Sequence, residues 1–287
     1  MRILRFVPAL FVFVFVLLLL VPLNLTQMAS LVVWPFSKKL FRAINRGVCA
    51  TFFGGLNILM EKIAGVEVIF SGDTLPSREN AFVISNHQAM ADIPAIIALA
   101  TRSSRAGDIK WFVKDPIKYV PGIGWGMLFL DCIYVKRNWM ADKARVLKTF
   151  ENLRVHRTPF WLVSFLEGTR ITPEKLKRSQ AFGAKAGLPL LTHVMLPRTK
   201  GFEATMEGLG EHKQAVYDVT IGYEGRPPGI GQLLLGSVPR VHVHARRYAV
   251  AELPKDNAGR AAWALARWVE KEARMAHFKT NGKFPAS

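Results

Sequence analysis

Cysteine is what this chain has least of, and acidic residues are few beside its basic ones. Its 287 residues include two cysteines, Cys49 and Cys132, each among apolar neighbours and without CxxC or CxxCH spacing. That pattern excludes a disulfide framework or a cysteine-based zinc or haem site, and both read as reduced core or membrane residues. Against 39 Lys+Arg stand only 21 Asp+Glu, a net charge of +18. A field of that sign favours polyanionic partners: nucleic acid, an anionic membrane surface or phosphorylated small molecules. Internal repeats and low-complexity linkers are missing, which argues against a solenoid or tethered domains. There is no G-x-S-x-G elbow, so a serine-hydrolase reading lacks its nucleophile. His242 and His244 alternate in one apolar run but have no local carboxylate or cysteine. They read as a solvent-facing or hydrogen-bonded strand edge, and no metal is expected.

What the chain has in quantity is apolar surface, 50% of its residues, enough for a packed core. From Phe6 to Phe36 no side chain is charged, and Val7 to Leu23 is almost wholly Val, Leu and Phe. This stretch is long enough to span a bilayer or lie deep in it. Arg2 and Arg5 could open a signal peptide, but the apolar run exceeds a usual h-region and no small-x-small cleavage site follows, which favours an uncleaved anchor. Lys38 to Arg46 then interleaves basic and apolar residues. A second apolar run, Val48 to Met60, is broken by Gly54-Gly55 and is short for a span. A hairpin dipping into one leaflet and a crossing segment both stay open, and basic flanks on both sides leave orientation undetermined. Residues 1–60 are therefore expected to form a membrane anchor or helical hairpin, with a separate domain over 61–287.

Beyond Glu61 short strands and helices alternate. Val66–Phe70, Ala81–Ile84, Trp111–Val113, Ile133–Val135, Phe160–Phe165, Leu191–Leu196, Ala215–Tyr223 and Val241–Ala245 read as strands. Ile93–Thr101, Met140–Leu153 and Asp256–His277 read as helices. The last is expected to pack Ala261, Leu265, Trp268 and Ala273 inward and its charges outward. The order suggests a mixed α/β or α+β domain.

Two polar clusters follow apolar strands. After Ala81–Ile84 comes Ser85-Asn86-His87-Gln88-Ala89-Met90-Ala91-Asp92. Asp92 fits as a cap for the helix that follows, with His87 a strand-end residue. It equally fits as the carboxylate that fixes the tautomer of His87, leaving the other ring nitrogen to take a proton from a hydroxyl. After Phe160–Ser164 comes Phe165-Leu166-Glu167-Gly168-Thr169-Arg170, which taken alone is a Glu-Gly turn with a solvated arginine.

Together the two clusters, His-x4-Asp and then x-x-E-G-T-R, resemble the glycerolipid acyltransferase family, which includes the lysophosphatidic acid acyltransferases. Lys118–Gly126 leading to Tyr134–Asn138 resembles the family's second block, and Val194–Phe202, with Pro197, its fourth. The four blocks run in order from Ile84 to Phe202. The resemblance implies a mixed central β-sheet flanked by helices, and a catalytic domain over 61–287 held at the bilayer by the N-terminal segment. It implies transfer of a fatty acyl group from acyl-CoA or acyl-carrier protein to the free hydroxyl of a lysophospholipid, with no cofactor. His87 and Asp92 are then the catalytic pair. Lys136, Arg137, Glu167, Gly168, Thr169, Arg170 and Pro197 are the substrate-binding residues, with Arg198 and Lys200 as helpers.

The residue types suit that chemistry. Acyl transfer to a hydroxyl needs a base, donors for the carbonyl oxyanion and cations for a phosphate. Arg137 and Arg170 offer forked donors suited to phosphate. Backbone amides around Gly168 and the Thr169 hydroxyl are candidate oxyanion donors, and Glu167 is expected to orient Arg170 or a glycerol hydroxyl. No activated Ser or Cys accompanies the base, so attack on the thioester is direct. Ala89-Met90 replaces the family's frequent Ser-Trp, and Phe165-Leu166 its Phe-Pro. These departures leave the proposed catalytic groups in place but weaken any transfer of substrate preference. Arg246-Arg247 and the scattered bases of the last third are expected to face anionic headgroups. Aromatics lie in strands and the anchor rather than among the bases, which disfavours nucleic acid. Other readings are an acyltransferase or transacylase for a different lysolipid acceptor, and a non-catalytic membrane lipid-binding protein. Because acyl thioesters are made in the cytoplasm, the site is expected at the cytoplasmic face of the membrane.

Overall fold

The structure, a computed structural model, describes residues 2–136 and 139–285. Its frame is one sheet of seven strands: β1 (Glu67–Gly72), β2 (Ala81–Ser85), β3 (Ile109–Lys114), β4 (Ile133–Val135), β5 (Trp161–Phe165), β6 (Ala215–Tyr223) and β7 (Arg240–Ala249). The spatial order is β1-β7-β6-β2-β5-β3-β4. Adjacent strands are parallel except β6 and β7, which run antiparallel. This is the mixed sheet expected from the resemblance. Central strands covered on both faces read as unbroken apolar runs, and all five residues of β2 are buried.

Side-chain alternation divides the core. On one face Val83, Trp111, Trp161, Val163 and Tyr217 pack beneath α3 (Asp92–Arg102) and the N-terminal helices. On the other, Phe82, Ile84, Leu162 and Val216 pack with residues of α5 (Trp139–Val155), α7 (Thr199–Gly208) and α9 (Asn257–Asn281). Three short or peripheral helices complete the layers: α4 (Ile123–Leu128), α6 (Pro173–Lys185) and α8 (Ile230–Leu234).

The N-terminal segment is a helical hairpin. α1 (Arg2–Ser30) contains Leu10–Ser30, a stretch long and apolar enough to cross a membrane and almost wholly unburied. α2 (Lys38–Asn57) begins at Ser37, whose Oγ accepts from the Leu40 amide, and runs through Gly54-Gly55 without a break. Gly55 is where α1 comes closest: a Cβ there would lie 2.5 Å from Leu19 Cδ1. Asn45 Nδ2 donates to Ser30 Oγ at 2.9 Å and ties the two helices near the turn. Cys49 and Phe53 of α2 are buried in the same core as the sheet. Burying an aliphatic or aromatic side chain of this size contributes about 1.5–3 kcal/mol, so α2 is fastened to the domain that follows it.

Four sequence expectations are corrected. Leu191–Leu196 is not a strand, because side chains take its backbone donors. Glu272 of α9 accepts from the amides of Thr192, His193 and Val194, and Ser179 from that of Leu196. The helix over 256–277 is present as α9, but Ala273 is exposed, while Lys271 and Arg274 turn inward onto Asp218 of β6. Arg247 does not face headgroups. It forms a two-pronged pair with Glu79 at the sheet end where β6 begins, while the more exposed Arg246 lies 3.5 Å from Asp73. Finally, β7 is an interior strand, and His242 and His244 are buried rather than at an edge. His242 Nε2 meets Glu224 at 3.1 Å, and His244 Nδ1 meets Ser71 Oγ at 3.1 Å.

Burial drives the His244 pKa down to about 4, with Arg274, Lys271 and Arg246 adding to the effect against Asp218. The neutral ring is therefore the native form. As pH falls below the ordinary histidine value, the unfolded chain takes up a proton that the folded chain refuses. Stability present at neutral pH is then lost as pH approaches the folded value. By about pH 5 the loss from this one group should reach about 1–2 kcal/mol. Thermal unfolding of the detergent-solubilised protein from neutral to mildly acidic pH should show it, with a shallower slope in His244→Gln; equal slopes would remove His244 as the cause.

Candidate active site

β2, β5 and β6 end side by side, at Ser85, Phe165 and Tyr223, and the loops leaving them converge. In the loop after β2, His87 Nδ1 lies 2.8 Å from Asp92 Oδ2. The same oxygen accepts the backbone amides of Gln88 at 2.6 Å and Ala89 at 3.0 Å, and Asp92 Oδ1 accepts the Tyr223 hydroxyl at 2.8 Å. Asp92 has no solvent exposure. Asp92 is the first residue of α3 and does not cap that helix as the sequence suggested; it accepts the loop amides that precede it and holds the imidazole. An ionised carboxylate only accepts, so Nδ1 carries the proton and Nε2 keeps its lone pair. Burial and the neighbouring Asp92 hold the Tyr223 hydroxyl far above its usual pKa, so it stays a donor.

The imidazole is clamped as well as bonded. Its ring stacks on Phe165, with centroids 3.9 Å apart and planes 11° from parallel, and Trp111 stacks on the same phenyl group. Asn86 bridges the end of β2 to β6 through both the amide and the carbonyl of Ile221.

The Glu-Gly-Thr-Arg turn is tied to this loop: the Ile171 amide donates to the His87 carbonyl at 2.9 Å. Gly168 sits at φ +71°, where a side chain would be strained, and a Cβ there would lie 2.9 Å from Arg198 Cδ. The Arg198 amide in turn donates to the Leu166 carbonyl at 2.7 Å, which joins the third and fourth motif blocks. Lys175, on the first turn of α6, donates to Thr169 Oγ1 at 2.8 Å and to the Arg170 carbonyl at 3.2 Å.

These loops open into a cavity of about 1420 Å³. His87, Gly168, Thr169, Arg170, Pro197, Arg198 and Lys200 all line it, as does Lys175. Asp92 stands behind His87. Glu167 is not in the wall: it is buried beneath the turn, and burial pushes its carboxyl well above the usual range, against the pull of Lys271. Its expected contact with Arg170 or an acceptor hydroxyl is therefore replaced by an interior position. The Lys136 side chain is exposed, and this residue lines a smaller cleft with Lys114. Arg137 lies outside the described residues. Sequence reasoning missed Lys175, Tyr223 and the Phe165 clamp. Lys175 follows Arg170 closely as one more base after the motif, a signal that was available. Tyr223 lies far along the chain from Asp92 and carries no local signal.

Known proteins resemble this chain over most of its length. The acyltransferase family model matches residues 67–224, and the acyltransferase C-terminus model matches residues 232–287. The chain is 35% identical to a probable 1-acyl-sn-glycerol-3-phosphate acyltransferase 5 of Arabidopsis thaliana, over 91% of this chain and 72% of that protein. It is 33% identical to the rat 1-acyl-sn-glycerol-3-phosphate acyltransferase delta, over 91% and 71%. With the human gamma enzyme it shares 32% over 95% and 74%. Its fold matches the crystal structure of the 1-acyl-sn-glycerophosphate (LPA) acyltransferase of Thermotoga maritima. The TM-score is 0.56 at 16% identity, covering 94% of this chain and 97% of that one.

Tyr223→Phe should cost about 1–3 kcal/mol of stability, because it strips a donor from a carboxylate with no water to replace it. Gly168→Ala should cost a similar amount through its positive φ and the approach of Arg198. Thermal unfolding of the two variants beside wild type checks both, and an unchanged midpoint in either would contradict the contact concerned.

Proposed function

The chain belongs to the 1-acyl-sn-glycerol-3-phosphate acyltransferase family, a family of O-acyltransferases, and we propose that it transfers a fatty acyl group from an acyl thioester to the free hydroxyl of lysophosphatidic acid, with His87 as general base. The observation that carries this reading is the buried Asp92, which holds the His87 ring with Nε2 free at the wall of a cavity rimmed by arginine and lysine.

In the proposed reaction Nε2 takes the proton of the acceptor hydroxyl as its oxygen attacks the thioester carbonyl. The C–O bond forms and the C–S bond breaks. The proton held on His87 then passes to the departing thiolate, so no proton is gained or lost overall. Asp92 stabilises the transient imidazolium. Backbone amides near Gly168 are the candidate donors for the oxyanion, since glycine lets the chain approach closely. Thr169 accepts from Lys175 and keeps its own hydroxyl proton to give. Arg170, Arg198 and Lys200 suit the acceptor phosphate. Among the described residues no serine or cysteine is hydrogen-bonded to His87, which supports direct transfer.

The donor chain has an apolar path. On the face of α1 and α2 the cavity is walled by Leu20, Leu23, Val48, Phe52, Ile93 and Trp111. This arm starts at His87 and runs toward the anchor, so a long acyl chain entering it brings its thioester to the base. Either acyl-CoA or acyl-carrier protein fits as donor, without a further cofactor. Residues 1–60 hold the site at the membrane, on the cytoplasmic side where acyl thioesters are made.

Labelled acyl transfer from acyl-CoA or acyl-carrier protein to lysophosphatidic acid, in membranes containing the protein, tests the reading. His87→Ala should lower transfer by about 10²–10⁴-fold, and Asp92→Asn by an amount in the same range. Arg170→Ala should raise the acceptor KM more than it lowers kcat. Transfer that survives His87→Ala would overturn the assignment of the base.

A further inference from the structure

The cavity is larger than a cleft for one drug-sized ligand. A cleft for a single drug-sized ligand is roughly 300–1,000 Å³, and this one is about 1420 Å³. Its apolar lining also falls into two groups on opposite faces of the sheet. One is the arm beneath α1 and α2. The other is formed by Phe182 of α6, Leu188 and Leu196 of the segment before α7, and Ala261, Ala262 and Leu265 of α9.

β5 divides the two. Phe165 packs with the core of the α1–α3 side, beneath His87, whereas Leu166 packs with the core shared by α5, α7 and α9. Arg170, Lys175, Arg198 and Lys200 line the same cavity, and Arg198 lies against Gly168 of the turn between the arms. The second arm has a firm floor. Ser179 accepts from the Leu196 amide, Gln180 donates to the Leu191 carbonyl, and a Cβ on Gly183 would lie 3.0 Å from Leu196 Cδ1. Phe182 is 64% exposed, a large apolar side chain left open at the cavity's edge. Exposed apolar surface joined to a polar site marks a place where an amphiphile binds.

We propose that this second arm seats the hydrocarbon chain that the lysophospholipid acceptor already carries, while the first arm holds the chain being transferred. The inference rests on the acceptor reading above. A lysophospholipid joins its phosphate and its resident chain through one short glycerol. With the phosphate on the basic cluster and the free hydroxyl at His87, the resident chain must leave in a direction the donor chain does not occupy. The lining between α6 and α9 is apolar, shares the cavity with the basic cluster and lies on the other face of the sheet. The C-terminal helix thereby gains a part in acceptor choice, with Ala261 and Leu265 as the residues that set the width of the arm.

Two acceptors differing only in the length of the resident chain, short and long lysophosphatidic acids, are compared in mixed micelles with the full-length protein and a fixed donor. Ala261→Trp, which narrows the arm, should lower the long-to-short ratio of kcat/KM by about tenfold. Phe182→Ala, at an exposed position that tolerates truncation, should lower the same ratio by a smaller factor and guards against misfolding of the first variant. The donor KM should not move in either. A ratio equal to wild type in both variants would overturn the inference alone and leave the resident chain in the bilayer. Absence of any transfer to either acceptor by wild type would instead overturn the acceptor reading, and the inference with it.

Discussion

Asp92 is a carboxylate with no water around it, and the site depends on how its charge is satisfied. A buried, unpaired carboxylate would be strongly destabilising. Here four donors surround it: two loop amides, the His87 ring and the Tyr223 hydroxyl. Those donors come from the loop after β2 and from the end of β6, so the interaction that fixes the histidine tautomer also fixes where two strands end. Catalytic geometry and local stability are therefore one constraint. A substitution that loosens the carboxylate loses both.

From that fixed point the rest is placed by the sheet. Phe165 at the end of β5 carries the imidazole on its ring, and the turn that follows it delivers Gly168, Thr169 and Arg170 to the same rim. Arg170, Arg198 and Lys200 line the cavity. Arg247, Lys271 and Arg274 are instead consumed by interior or lateral carboxylates. The net charge of the sequence thus divides into a part that binds and a part that packs. Opposite faces of the sheet end contribute opposite apolar arms, which suits a reaction between two amphiphiles.

What was legible in the sequence was local. His87 and Asp92 are five residues apart, Gly168 to Arg170 are consecutive, and each cluster follows an unbroken apolar strand, so the two together carried the family resemblance that neither carried alone. The apolar N-terminal helix was legible for the same reason. What was not legible depends on partners distant in the chain. The 191–196 run is apolar enough for a strand, but Glu272 takes the amides a ladder would have used. Lys271 and Arg274 look like surface charges on a helix wheel until Asp218 of β6 is placed beneath them. Glu167 belongs to the motif, yet its burial follows from packing that the motif does not encode. Gly54-Gly55 interrupts the apolar run in the sequence, but α2 continues through it, and Gly55 leaves room for the side chain of Leu19.

In the proposed reaction His87 is the base, and among the described residues no serine or cysteine is hydrogen-bonded to it, so the acyl group would pass straight from donor to acceptor. Intact-mass spectrometry of the protein incubated with a long-chain acyl thioester and no acceptor tests this most directly. Direct transfer predicts an unchanged protein mass, with free thiol released only once lysophosphatidic acid is added. A protein heavier by one acyl group, returning to its original mass when the acceptor is supplied, would contradict it.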